Sequence, residues 1–305
     1  MRCLITGASG HLGSYLTRQL LAGGHEVSIM VRPQSNLWRI ADVLNQTRVI
    51  YGDLSVIEQA ENGILTIAPE VVFHLGWHGV ASEHRDDLNQ IHHNLTGTLR
   101  LLEYAQRGGC RCWVGVGSQA EYGRFEGVLH EKQPTQPITL YGVTKLCAGL
   151  LTRQLCAMNN VRYVWCRLLA TYGPKDDPRH FIPTVIRKLL AGEKPSLTPG
   201  EQMWDYLHVA DAATALQQLA EESLAEGVFV LGSGRAVSIR QVAETIRDLI
   251  DPQLPLGLGE LFYRADQVMR LEADSGRLKA VTGWSPQMSL ERGLEMTVAW
   301  YRNQI

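Results

Sequence analysis

The fold is decided by the stretch Arg2-Cys3-Leu4-Ile5-Thr6-Gly7-Ala8-Ser9-Gly10-His11-Leu12-Gly13. A short apolar strand runs into three glycines spaced three apart, and a helical pattern follows over residues 11–22. Backbone N–H groups and the amino end of such a helix can face a pyrophosphate, because no Cβ blocks the approach. The sequence therefore predicts a dinucleotide site formed by Gly7, Ser9, Gly10, His11, Leu12 and Gly13.

Short apolar runs alternate with longer amphipathic stretches after this loop, a pattern typical of βαβ units and a parallel sheet. The predicted strands cover residues 2–6, 26–31, 48–51, 71–75, 112–116 and 163–168, and further helices cover 55–67, 86–107 and 141–157. Prolines become frequent beyond residue 172, which indicates a second lobe. We expect an α/β protein with a doubly wound parallel sheet (Rossmann) in residues 1–172 and a smaller C-terminal substrate-binding lobe in residues 173–305. Residues near 205–232 could return to the first domain.

Composition favours small-molecule partners. The chain has 305 residues, 45% of them hydrophobic, and a formal net charge of −2. This charge provides no basic field for nucleic acid or a membrane surface. The apolar runs are too short for a secretory signal or a membrane span, and the six cysteines form no disulfide or metal framework. We expect a cytoplasmic enzyme with buried thiols, no metal, and neither nucleic acid nor membrane as a partner.

Cofactor choice depends on the residues after the second strand, Met30-Val31-Arg32-Pro33-Gln34-Ser35-Asn36. NAD-preferring proteins place a carboxylate there for the ribose 2′-hydroxyl, and this chain has none. Arg32 can pair with a 2′-phosphate, and Ser35 and Asn36 can donate further hydrogen bonds. The sequence favours NADP, with NAD as the alternative. Asp53, after the third strand, could accept from the adenine amino group or cap the next helix.

Tyr141 and Lys145 lie four residues apart in the helix predicted over 141–157, and so on one face of it. An adjacent cation favours the phenolate, so we expect Lys145 to lower the pKa of Tyr141. Ser118 precedes this pair, at the end of the strand predicted over 112–116.

These features resemble the extended short-chain dehydrogenase/reductase family, in its nucleotide-sugar epimerase/dehydratase/reductase branch. The motifs that carry the resemblance are Gly7/Gly10/Gly13, Gly52-Asp53-Leu54, His74-Leu75, Asn94-Leu95-Thr96-Gly97-Thr98, Gly117-Ser118 with Tyr122-Gly123, Tyr141/Lys145, Arg167 with Tyr172-Gly173-Pro174, Trp204-Asp205-Tyr206-Leu207-His208-Val209, and Gly283-Trp284-Ser285-Pro286.

The resemblance implies catalytic roles for three residues. Tyr141 exchanges a proton with a substrate oxygen, Ser118 hydrogen-bonds the same oxygen, and Lys145 tunes Tyr141 and holds the nicotinamide ribose. It also implies cofactor contacts from Leu54, Leu75, Gly76 and Asn94, the last of which could be structural instead. The implied substrate contacts are Trp77, Gln119, Glu121, Arg179, Trp204 and Arg264. Members of the family usually pair through the helices near 86–107 and 141–157, which implies a homodimer.

Departures from the family pattern narrow the reaction. Sugar 4,6-dehydratases have Thr-Asp-Glu where this chain has Ser118-Gln119-Ala120, which argues against dehydration. Glu121 is one residue away and is expected to point to the other face. An NADP-selective site fits a reductase, so the sequence predicts NADPH-dependent reduction of a nucleotide-activated 4-keto-6-deoxyhexose. A nucleotide-sugar epimerase and a non-catalytic NADP-binding protein are the alternatives.

Two further departures concern the substrate diphosphate. The family usually has Asn in the strand that ends in Tyr-Gly-Pro and Arg before the Asp-Tyr element, whereas this chain has Ala170 or Thr171 and Trp204. Arg264 resembles the other diphosphate-binding arginine of the family. Lys175, Arg179 and Arg187 are candidates for the missing cation.

Overall fold

The computed structural model describes residues 1–264 and 267–304. Its strands are β1 (Arg2–Thr6), β2 (Glu26–Val31), β3 (Arg48–Tyr51), β4 (Val71–His74), β5 (Cys112–Ser118), β6 (Gly127–Leu129), β7 (Arg162–Leu168), β8 (Ala170–Tyr172), β9 (Ser196–Leu197), β10 (Met203–His208), β11 (Gly227–Leu231), β12 (Ala236–Ser238), β13 (Gly257–Leu258) and β14 (Arg270–Ala273). Its α-helices are α1 (His11–Ala22), α2 (Glu61–Ile67), α3 (Thr96–Arg107), α4 (Leu140–Met158), α5 (Phe181–Leu190), α6 (Val209–Glu221), α7 (Ile239–Ile250), α8 (Gly276–Thr282) and α9 (Leu290–Arg302).

A seven-stranded parallel sheet in the order β11-β7-β5-β4-β1-β2-β3 forms the larger part of the fold. Its central strands carry apolar side chains toward both faces, and Leu4, Ile5, Phe73 and Val114 are fully buried. Helices α1 and α6 cover one face, whereas α2, α3 and α4 cover the other. This confirms the predicted doubly wound α/β class.

Strand order reverses beside β1, which lies between β4 and β2. In open α/β sheets, ligands bind at such a switch point, outside the carboxyl ends of the strands. The glycine loop after β1, the segment after β4 and Ser118 at the end of β5 all lie at this edge.

The predicted strands 2–6, 26–31 and 48–51 have their predicted bounds, but two helices differ. The first two turns of the helix predicted over 55–67 form a 3₁₀ helix at Leu54–Ala60. The helix predicted over 86–107 begins only at Gln90, as a π-helical turn that leads into α3. The side chain of Asp87 caps the backbone of Asn89 at 2.8 Å, and residues 78–89 form a loop over the sheet edge.

The second lobe contains a five-stranded sheet, β12-β10-β14-β6 with β8 paired to β10, and a short pair of β13 with β9. Helices α5, α7 and α9 share an apolar core beside it. Residues 209–231 lie with the large sheet, because α6 packs beside α1 and β11 pairs with β7. Buried Asp205 binds the lobe together by accepting from Ser233 N, Gly234 N and Ala273 N.

Within residues 1–264 and 267–304, no helix is both long and apolar enough to cross a membrane. The same residues contain no group of three or more His, Cys, Asp or Glu side chains placed to hold a metal ion.

Candidate active site

The glycine loop forms a cradle of bare backbone at the start of α1. Gly7 has a φ of +75°, and a Cβ there would lie 2.7 Å from Gly76 N. A Cβ on Gly13 would lie 2.1 Å from the carbonyl oxygen of Gly7. Ser9 lies within the loop. The loop therefore packs against the strand ends only without side chains, and it leaves N–H groups and a helix terminus to face an anion, which fits a dinucleotide pyrophosphate.

A cleft of about 1040 Å³ runs from this loop to the second lobe. It brings together most of the residues that the sequence assigned to the site: Gly7, Gly10, His11, Leu12, Gly13, Leu75, Trp77, Ser118, Gln119, Tyr141, Lys145, Arg179, Trp204 and Arg264. The size suits a cofactor or substrate buried along much of its length.

Ser118 and Tyr141 lie side by side in this cleft. Thr139 starts α4 by accepting a hydrogen bond from Gly142 N at 3.1 Å, which places Tyr141 in the first turn. Ser118 Oγ accepts from Ala120 N at 3.1 Å, so its hydroxyl proton is free to point toward Tyr141 or a ligand. A hydroxyl and a phenol at one point can together bind a single oxygen atom.

The pKa of Tyr141 is raised above its ordinary value, because burial of the phenol outweighs the Ser118 hydrogen bond and the positive charge of Arg85. The lowered pKa that the Tyr-x-x-x-Lys spacing predicts is therefore not found here, and tuning of Tyr141 by Lys145 stays a prediction. Lys145 Nζ donates instead to the carbonyl oxygen of Val116 at 2.7 Å and lies 3.7 Å from the ring centroid of Trp77. Burial lowers the pKa of Lys145 to about 7.

Glu121 is fully buried and does not line the cleft. Its carboxylate accepts hydrogen bonds from Ser118 N at 2.9 Å, Trp165 Nε1 at 3.0 Å and Arg167 Nε at 2.7 Å. It therefore belongs to a structural ion pair behind Ser118, and the predicted substrate contact is not formed. The strand ends at Ser118, and the 3₁₀ helix Gln119–Tyr122 directs Gln119 to the cleft and Glu121 to the core.

Asn94 also has a structural position. It is buried, its Oδ1 accepts from His78 N at 2.7 Å and its Nδ2 donates to His78 O at 3.0 Å. Asn94 thereby fixes the segment after β4. Asp53 accepts from Ser55 N at 2.9 Å and caps the 3₁₀ helix that begins at Leu54. This is the capping role that the sequence left open beside an adenine contact.

Arg32, Ser35 and Asn36 follow β2 beside the glycine loop, outside the residues that line the cleft. The register pairs Thr6 with Met30, so Arg32 extends just beyond the strand end next to the loop. Arg32 and Asn36 are exposed. A group on the adenosine ribose could reach them from the loop.

Among the candidate diphosphate cations, Arg179 lines the cleft but pairs with Asp177 at 2.8 Å. Lys175 turns to the carbonyl oxygen of Arg39, and Arg187 is exposed outside the cleft. Two cleft cations were missed by sequence reasoning, Arg85 and Lys188. No motif marks either, because each reaches the cleft only through the fold.

A carboxylate shared by two histidines forms part of the cleft wall. Asp176 Oδ1 lies 3.2 Å from His11 Nδ1 and 2.9 Å from His180 Nδ1. Burial lowers the pKa of His11 to about 4. This contact joins the glycine loop to the segment that leads into α5.

The sequence profile of the NAD dependent epimerase/dehydratase family matches residues 3–232. Among curated proteins, a dTDP-glucose 4,6-dehydratase of Mycolicibacterium smegmatis is 27% identical over 99% of this chain and 93% of its own length. A UDP-glucose 4-epimerase of Corynebacterium glutamicum is 29% identical over 94% of this chain and 91% of its own length.

Solved structures agree on the fold. The chain superposes on a Thermus thermophilus UDP-glucose 4-epimerase in complex with NAD with a TM-score of 0.89 at 24% identity, over 100% of each chain. It superposes on MoeE5 in complex with UDP-glucose and NAD with a TM-score of 0.84 at 27% identity, over 100% of this chain and 99% of that one.

Proposed function

We propose that this chain, which belongs to the NAD dependent epimerase/dehydratase family, is an NADPH-dependent reductase of a nucleotide-activated 4-keto-6-deoxyhexose. As in the related enzymes of the extended short-chain dehydrogenase/reductase family, its chemistry is of the oxidoreductase type. When bound, a nicotinamide cofactor supplies the hydride chemistry. The residues of the chain position a carbonyl, donate a proton to its oxygen and stabilise the charge that develops there.

The observation that carries this proposal is the pairing of Ser118 and Tyr141 in a cleft whose neighbouring positions lack acids. Gln119 and Ala120 stand where an eliminating enzyme of this branch would carry its acid and base, and Glu121 is sealed behind Ser118. A site of this kind can bind a carbonyl oxygen and protonate it, but it has no carboxylate at those positions to remove a proton from carbon. This supports reduction over dehydration.

The reaction can be tested directly with the purified chain, NADPH and a nucleotide 4-keto-6-deoxyhexose. We expect stoichiometric loss of the reduced-nicotinamide absorbance and conversion of the C4 ketone to a hydroxyl, which gives the 6-deoxyhexose. Both should be abolished in Tyr141→Phe. A second candidate, a nucleotide-sugar 4-epimerase, is favoured by the relatives of that activity. Formation of an isomer without net loss of reduced cofactor would establish the epimerase and refute the reductase.

We also propose NADP as the preferred cofactor, with NAD as the alternative that the NAD complexes of related structures support. Arg32 after β2 would pair with a 2′-phosphate, and Ser35 and Asn36 would add donors. Arg32→Ala should weaken NADPH binding much more than NADH binding in a calorimetric titration. Arg48→Ala, at the opposite end of the neighbouring strand β3, is the matched control. Equal loss for both cofactors would contradict the assignment.

A homodimer through α3 and α4 is the proposed assembly. Three large apolar side chains on α4 are more than two-fifths exposed: Leu150, Leu151 and Met158. Large apolar side chains left exposed on one helix favour a protein interface. We expect Leu150→Arg to produce a monomer in light scattering, whereas Leu224→Arg, at an 82% exposed position away from α4, should leave the parent mass. A monomeric parent would contradict the assembly.

We place the enzyme in the cytoplasm as part of the same proposal. The described cysteines are all free thiols, and five of the six are buried. Unpaired cysteines are typical of a reducing compartment.

A further inference from the structure

The cleft is cationic in a chain whose formal net charge is −2. Among the residues that the structure describes, its lining contains five lysine or arginine side chains but one carboxylate, Asp176, which His11 and His180 already engage. The cations are Arg85, Lys145, Arg179, Lys188 and Arg264. A concave surface lined by one sign of charge concentrates ligands of the opposite sign, so this cleft suits anionic ligands.

Three of these cations have partners or positions that tie them to other tasks. Lys145 donates to Val116 O at 2.7 Å, at the end of the cleft that holds the tyrosine. Arg179 pairs with Asp177 at 2.8 Å and is 67% exposed. Arg85 projects from the loop over the sheet edge. The other two cations stand on segments of the second lobe, and neither has a carboxylate partner within the described residues.

Lys188 reaches the cleft through the helical spacing of α5. Phe181, Thr184 and Lys188 follow one another at intervals of three and four residues, which places them on one stripe of the helix, and all three line the cleft. The buried side chains of α5 pack in the apolar core of the second lobe. Lys188 itself is half-buried. The fold therefore holds its ammonium on the cleft side of the helix.

An ammonium in this position lacks a counter-ion. Partial burial removes part of its hydration, and such a loss is costly unless another polar group replaces the water. The neighbouring lining from β9 and β10 is uncharged, with Ser196, Leu197, Trp204 and Tyr206 facing the same cleft. A phosphate oxygen would supply a charge-assisted hydrogen bond to the ammonium. The missing partner of Lys188 is therefore best supplied by an anionic ligand.

We propose that Lys188 binds a phosphate group of the substrate. The glycine loop provides the pyrophosphate cradle of the dinucleotide in the first domain, so a cation on α5 is left for a second anion from the other side of the cleft. This inference deepens the proposed function, because it assigns the second-lobe residue that recognises the nucleotide diphosphate. It rests on the proposed function for the identity of that ligand as a nucleotide sugar.

Isothermal titration calorimetry with ADP, GDP, CDP, UDP and dTDP tests this assignment without turnover. Saturating NADP keeps each probe out of the cofactor half of the cleft. The diphosphate that binds the parent most tightly should bind Lys188→Gln on the order of thirtyfold more weakly, because a hydrogen bond between charged groups is lost. Lys188→Arg should retain most of the affinity. The matching nucleoside has no phosphate, so it should bind the parent and Lys188→Gln equally.

Arg187→Gln is the matched control. Arg187 carries the same charge in the same last turn of α5, but it is exposed and lies outside the cleft. This variant should keep the affinity of the parent for the diphosphate. Thermal unfolding shows whether each variant is folded.

Parent-like affinity of folded Lys188→Gln would overturn the inference. An equal loss in Arg187→Gln would also overturn it, as would a parent chain that binds none of the nucleoside diphosphates. Failure to reduce a 4-keto sugar, alongside diphosphate binding that depends on Lys188, would refute the proposed reaction and leave the inference standing. Reduction of the sugar with parent-like binding by Lys188→Gln would do the reverse.

Discussion

The variant Glu121→Ala tests whether the carboxylate of Glu121 stabilises the fold or takes part in the reaction. The substitution leaves three buried donors without their acceptor: Ser118 N, Trp165 Nε1 and Arg167 Nε. Arg167 is only 6% exposed, so in the variant its charge would be buried without a partner carboxylate. Breaking a buried ion pair from one side costs about 4 kcal/mol. For a chain of 305 residues that corresponds to a fall in Tm of roughly 6 °C.

Thermal unfolding followed by circular dichroism measures this effect, and two further variants identify its origin. Glu121→Gln should be affected less, because an amide oxygen can still accept from Ser118 N while the amide nitrogen faces Arg167. Removing both charges in Glu121→Leu with Arg167→Met should recover most of the stability, since a buried pair can often be replaced by apolar groups of similar volume. A Glu121→Ala protein with the parent Tm but no turnover would refute the structural role and return Glu121 to the reaction.

Two other predictions concern the core and the loop. Buried His74 bridges Thr6 and Thr98, and burial lowers its pKa from 6.5 to about 3. Its native pKa lies below its unfolded pKa, so the unfolded chain binds the proton first and stability is lost as pH falls from 6.5 toward 3. The loss should reach about 2.5 kcal/mol between pH 6 and pH 4 in urea titrations. It should be absent from His74→Gln and retained in His92→Gln, and equal pH dependence in both variants would contradict the assignment. Gly13→Ala should lower the unfolding free energy by on the order of 3 kcal/mol, because its Cβ would meet backbone at 2.1 Å. Gly10→Ala, whose Cβ would meet the Gly7 carbonyl oxygen at 3.1 Å, should be much milder, and similar unfolding temperatures for the two would show that the loop can move aside.

The sequence predicts the large sheet well because its strands are short apolar runs, and the central strands are buried on both faces. Residues 2–6, 26–31 and 48–51 contain little else that could compete with a strand. The predicted helix over 86–107 fails at its start for the opposite reason. Asp86 and Asp87 precede a helical pattern in the sequence, but their carboxylates accept hydrogen bonds outside a helix. Asp87 accepts from Asn89 N, and Asp86 accepts from Leu140 N, more than fifty residues away. Side-chain bonds to distant backbone leave no periodic signal.

The spacing of Tyr141 and Lys145, the proposed catalytic pair, predicts only part of their geometry. An interval of four residues places Tyr141 and Lys145 on one face of α4, and both do line the cleft. The interval does not predict which residues the two side chains contact. Those contacts depend on the residues that β4, β5 and the loop 78–89 place beside this face of α4. Trp77 and Val116 bind the ammonium, and Arg85 occupies the space over the phenol. The contacts of both side chains are therefore set by segments that no local pattern in α4 encodes.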